Sequence, residues 1–117
     1  MIVSGYPYSF ATKTEIVDVV NGETCADLAD FPLANYAAVG ANLHGTPIVC
    51  GGGYSSTFYT EYQKCYKFTD SGWQEFATMK EKRQYAAGVM FQKKFHVFGG
   101  FDGSSYLKTS ELISVDG

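Results

Sequence analysis

The chain has 117 residues, about one ordinary domain, and its 45% apolar content is enough to build a core, which excludes a disordered chain. With 9 Lys+Arg against 12 Asp+Glu the net charge is −3, so no electrostatic reason exists to seek a nucleic-acid backbone. The longest apolar runs, 36–39 and 89–91, fall far short of the ~20 residues that cross a bilayer, and the first ten residues lack the basic start and apolar core of a signal peptide, so neither membrane insertion nor an address is predicted.

Aromatics at 16%, 13 glycines and only 3 prolines favour short strands joined by glycine-bearing turns. No window sustains apolar residues at helical spacing, whereas Thr14 to Val20, Tyr62 to Phe68 and Lys108 to Val115 are rich in β-branched or aromatic residues, so the chain reads as all-β. In chain order, an apolar run ending in glycine occurs as Ile2-Val3-Ser4-Gly5, Ile48-Val49-Cys50-Gly51-Gly52 and His96-Val97-Phe98-Gly99-Gly100. Each is followed by a hydroxyl residue, a glutamate and an apolar residue: Thr14-Glu15-Ile16, Thr60-Glu61-Tyr62 and Ser110-Glu111-Leu112. A third marker, Tyr36-Ala37-Ala38-Val39, returns as Tyr85-Ala86-Ala87-Gly88. Three markers thus share one period of about 48 residues, the length of four short strands with their turns.

Gly51-Gly52 after a strand, Glu61 and Tyr66, Trp73, Met79, Arg83, and then Val97-Phe98-Gly99-Gly100 resemble kelch repeats across the whole chain. The first copy departs from the pattern: Gly5 stands alone, Cys25 sits near the tryptophan position, and no arginine matches Arg83. The resemblance implies a kelch-type β-propeller whose blades have four antiparallel strands, a to d. Laid on the sequence, strand b falls at residues 1–5, c at 14–20 and d at 24–31; then a at 36–42, b at 46–51, c at 60–68 and d at 72–77; then a at 85–91, b at 94–99 and c at 108–115. The blades span 1–33, 34–79 and 80–117, the first and last partial, so the expected architecture is an incomplete propeller of about two and a half blades in one segment. Paired glycines suit the crowded axis, Trp73 is expected between neighbouring blades, and Arg83 at the link to the next blade. A propeller needs ~4–8 blades, so further blades of the same or another chain are expected to complete it. Homo-oligomeric closure is the alternative, although joining the two ends duplicates strands b and c.

Centring the b–c hairpin near residues 57–58 puts Cys50 opposite Cys65, which allows a disulfide; a reduced pair is the alternative, since Ser4/Val19 and Phe98/Val115 stand at the matching positions without sulfur. Cys25 is left over. A narrower resemblance rests on Cys25-x-x-Leu28-x-x-Phe31-Pro32, Pro47-Ile48-Val49-Cys50-Gly51-Gly52 and Cys65-Tyr66, which look like the cysteine-containing kelch proteins of invertebrate animals, thought to be secreted. It implies oxidised cysteines and an extracellular setting, with a cytoplasmic one as the alternative.

Nothing in the sequence assembles a catalytic or metal site. His44 and His96 lack metal-ligand spacing, Glu15, Glu61 and Glu111 repeat in register as a structural position, and the cysteines have no basic neighbour in sequence. Lys80 to Arg83 and Lys93-Lys94 read as solvated turns. No catalytic residue, metal or cofactor is therefore expected. In kelch propellers the b–c and d–a loops share one face, which often binds a protein partner. The candidate binding residues on that face are Tyr8, Phe10, Tyr54, Phe58, Tyr59, Arg83, Asp102 and Tyr106, since exposed tyrosine among serine and glycine makes a rigid, adaptable contact surface. The expected function is a non-catalytic protein-interaction or structural module within a larger propeller. The alternatives are a segment of a sugar oxidase or isomerase propeller, and an extracellular matrix or filament subunit joined through open blade edges.

Overall fold

The computed structural model describes residues 2–3, 14–17, 24–25, 28–54 and 60–114. Its strands are β1 (Ile2–Val3), β2 (Thr14–Val17), β3 (Thr24–Cys25), β4 (Val39–Leu43), β5 (Thr46–Cys50), β6 (Lys64–Thr69), β7 (Gly72–Thr78), β8 (Ala87–Phe91), β9 (Lys94–Phe98) and β10 (Ser110–Ile113). They form three antiparallel sheets in the orders β1-β2-β3, β4-β5-β6-β7 and β8-β9-β10, so the chain is all-β and each sheet is a simple meander. Tight turns fix the registers. The β4–β5 turn, His44-Gly45, has φ of 56° and 87°, and the β8–β9 turn, Gln92-Lys93, has 50° and 63°; positive φ at both central residues is the type I′ geometry whose twist matches that of the strands. Between β6 and β7, Gly72 takes φ of 102° after Asp70-Ser71, while the Thr69 hydroxyl donates to the Gly72 carbonyl.

Strand alternation divides the side chains between two cores. Ile48 and Cys50 of β5 join Leu43, Cys65, Met79, Phe95, Val97 and Ile113 in a buried cluster between the second and third sheets. Val49, on the other side of the same strand, joins Phe31 and Tyr66, with Leu33, Ala38 and Trp73 packed against them. As expected, Trp73 lies between sheets. Its ring meets Phe31 and Phe68 edge-on at 5.2 and 5.1 Å, and its Nε1 donates to Thr14 Oγ1 of the first sheet at 3.0 Å. Gly88 is required where the second and third sheets meet, because a Cβ there would lie 2.5 Å from the Phe95 ring and 2.8 Å from the Val39 methyl.

The paired glycines also behave as expected: Gly51, Gly52, Gly99 and Gly100 all have positive φ, between 70° and 96°. They leave room for the backbone links that join successive sheets. Gly52 N donates to Arg83 O at 2.7 Å, and Tyr85 N donates to Ala37 O at 3.0 Å. A Cβ on Gly100 would lie 2.6 Å from Gln84 O, too close for any side chain.

Three sequence alignments need correction. The segment 60–68 is not one strand: Thr60–Gln63 form a single 3-10 turn, and β6 starts at Lys64. Tyr36 pairs with Gly53 whereas Gln84 pairs with Phe101, and Ala37 and Tyr85 share φ near 57°, so Tyr85 matches Ala37 rather than Tyr36. Finally, Glu15 pairs with Ile2, whereas Glu111 pairs with Val97 and Tyr66 with the equivalent Val49. Glu15, Glu61 and Glu111 therefore do not share one ladder position, and Phe98 faces Ser110, not Val115. For the glutamates the connection between the second and third strands of each repeat differs in length, so a motif close in sequence enters its sheet at a different rung; the tyrosine motif is displaced by one residue although the two sheets repeat at a constant 48-residue spacing there.

Candidate functional site

Cys50 and Cys65 are directly opposed on β5 and β6, are fully buried and form a disulfide, with Cα atoms 4.1 Å apart. Hairpin centring therefore located the pair, although only the fold shows that it faces the third sheet. Cys25 lies on β3 opposite Ile16.

Arg83 is removed from the binding face to which the sequence assigned it, because its side chain is 0% exposed, and it sits instead at its other expected place, the link to the next sheet. Its Nη1 donates to the carbonyls of Gly99 and Thr109 at 2.8 and 2.9 Å, Nη2 to Thr109 Oγ1 and Glu81 Oε2, and Nε to Glu111 Oε2 at 3.1 Å. The Glu111 carboxylate also accepts from the Lys80 amide at 2.6 Å, and the Thr109 hydroxyl donates to Glu81. One guanidinium thus ties the end of β9, the start of β10 and the segment after β7 together. One repeat earlier Asn35 does a shorter version of this, with Nδ2 donating to Gly51 O and Oδ1 accepting from Gly53 N, both at 2.9 Å. The Tyr62 hydroxyl donates to Ala34 O nearby.

Of the other candidates, Tyr8, Phe10, Phe58 and Tyr59 lie outside the described residues. Tyr54 is half-buried. Asp102 accepts from the Ser104 and Ser105 amides through one oxygen, at 2.8 Å each, and these two bonds, that from Ser105 foremost, hold its carboxyl below the usual carboxylate range. The loop is thereby shaped as an Asx turn that carries Tyr106. Tyr106 is 86% exposed, and its ring rests on Phe101 with centroids 5.2 Å apart. Phe101 pairs with both Tyr106 and Gln84, and Tyr85, next to Gln84 in the chain, is 70% exposed. The sequence does not single out Tyr85; its signal is a tyrosine where the preceding repeat has Ala37.

The opposite side of the third sheet carries a second surface. His96 and Phe98 alternate with buried Phe95 and Val97, and the ladder aligns them with Val89 and Leu112, and with Ala87 and Ser110. Val89, Phe91, Phe98 and Leu112 are each 45–59% exposed there. Single exposed hydrophobics are ordinary; four on one sheet face are not. Among the described residues no group of three or more His, Cys, Asp or Glu could hold a metal, and no helix is long and apolar enough to cross a membrane.

No protein-family model matches the sequence, and no curated protein matches it. Among solved structures, the chain is similar to the structure of YjhT, with a TM-score of 0.66 and 16% identity over 85% of this chain. That match takes in 34% of the YjhT chain, so the present chain spans about a third of its length, and at this identity the likeness concerns the fold alone.

Proposed function

We propose that the chain is a non-catalytic, kelch-type propeller segment that acts in a larger assembly, packs its third sheet against a further blade, and presents its b–c and d–a loops to a protein partner. The observation that carries this reading is the apolar face formed by Val89, Phe91, Phe98 and Leu112. The molecule holds a covered copy of it: one repeat earlier, Ile48 and Cys50 occupy the strand positions of His96 and Phe98 and are buried against the third sheet. A sheet of the same kind therefore fits the open face, and YjhT, of which this chain matches about a third, has length for more sheets of that kind. The Cys50–Cys65 disulfide supports an oxidising, extracellular setting.

The chain alone should self-associate at micromolar concentration and bind a hydrophobic dye. The double substitution Phe98→Lys and Leu112→Lys should abolish both while leaving the fold intact, because neither side chain enters a core. Analytical ultracentrifugation with circular dichroism reads this out; a parent chain that stays monomeric and binds no dye overturns the blade-packing reading. For the loop face, Tyr106→Ala in the assembled protein should weaken capture of its partner by about 2 kcal/mol, whereas Asp70→Ala, in the β6–β7 turn at the other end of the sheet, should not. Pull-downs in which the Asp70 variant fails and the Tyr106 variant binds would assign binding to the opposite face.

A further inference from the structure

A cleft of about 380 Å3 opens where the β4–β5 turn, the β8–β9 turn and the end of β10 meet. It lies at the end of the sheets opposite the b–c loops and shares no residue with the loop face proposed to bind a partner. In sequence His44 and the Lys93-Lys94 pair are far apart and read as solvated turns; the fold brings them to one cleft, together with Thr46, Gln92 and Ser114 and with buried Leu43 at its floor. The described lining contains no carboxylate. Among the described residues, ion pairs join Lys64 with Glu75 and Arg83 with Glu81 and Glu111, and neither cleft lysine takes part in one. On a chain of net charge −3 this is a local concentration of unpaired positive charge.

The polar groups are also held there against the preference of the turns. A type I′ turn favours asparagine and glycine, yet Gln92 and Lys93 both take it, with φ of 50° and 63°, and His44 takes the first position of the other turn at 56°. Non-glycine residues kept in the left-handed region cluster at functional positions. The lysine ammoniums can only donate hydrogen bonds; the Thr46 and Ser114 hydroxyls and the Gln92 amide can donate to an oxyanion or pair with sugar-like hydroxyls. The volume is at the lower end of small-molecule sites. We propose that this cleft binds a phosphate or sulfate monoester of about monosaccharide size, with the oxyanion between Lys93 and Lys94 and the organic body toward His44, Thr46 and Ser114.

The test is an amide NMR titration of the intact chain with glucose 6-phosphate and glucose 6-sulfate, with inorganic phosphate, inorganic sulfate and glucose as comparisons. Saturable shifts confined to the two turns and Ser114 are expected with at least one ester, and weaker binding of the inorganic anions and of glucose. Lys93→Gln with Lys94→Gln should weaken ester binding at least about tenfold. Lys93→Asn removes one charge while giving the turn a residue it favours, so its loss of affinity cannot be assigned to misfolding. Absence of saturable shifts, shifts of equal size at Lys80 and Lys82, inorganic anions binding as tightly as the esters, or unchanged affinity in the lysine variants would each overturn the proposal.

Discussion

Replacing Arg83 with Ala is expected to lower stability by about 3–5 kcal/mol. Removing one member of a buried ion pair leaves its partner without compensation, and here the loss extends beyond the two carboxylates, Glu81 and Glu111. The carbonyls of Gly99 and Thr109 also lose a donor. A domain of this size has about 5–15 kcal/mol in total, so urea unfolding followed by Trp73 fluorescence should show a large shift in midpoint. Hydrogen exchange should accelerate first at the amides of Lys80 and Gly99, where the segments tied by the guanidinium separate. Arg83→Lys keeps the charge but not the fork of donors, and should recover only part of the loss. A loss below about 1 kcal/mol for Arg83→Ala would show that the network is not structural.

Reduction of Cys50–Cys65 should cost about 3 kcal/mol, the loop-closure value for a separation of 15 residues. Both sulfurs lie in the apolar cluster with Phe95 and Val97, and reduced cysteine behaves as a small hydrophobe, so the folded packing changes little. The effect falls on the unfolded chain, which gains freedom and exposes more surface; the dependence of stability on urea should therefore steepen as the midpoint falls. Titration of the unreduced protein, unfolded in urea so that buried thiols become accessible, should label neither Cys50 nor Cys65 with a thiol reagent. Labelling of either would remove the disulfide and, with it, the support for an extracellular setting.

The sequence by itself determined the number and type of the strands, because these depend on local rules. Runs of β-branched and aromatic residues favour strands, and positive φ at Gly51-Gly52 and Gly99-Gly100 admits glycine with least strain. It placed Cys50 opposite Cys65 for the same reason: a hairpin's register follows from counting out from its turn. Only the tertiary structure decided what depends on contacts between repeats. The sequence cannot show that Arg83 is buried, since an arginine in a turn is solvated unless distant segments, here Glu111 and the Thr109 carbonyl, come to meet it. Nor can it show that His44 stands across a cleft from Lys93, because only the packing of one sheet on another brings those two turns together. The same cause misaligned the glutamates: connections of unequal length shift the rung at which each strand enters its ladder, and hydrogen bonding between strands, not spacing along the chain, sets that rung.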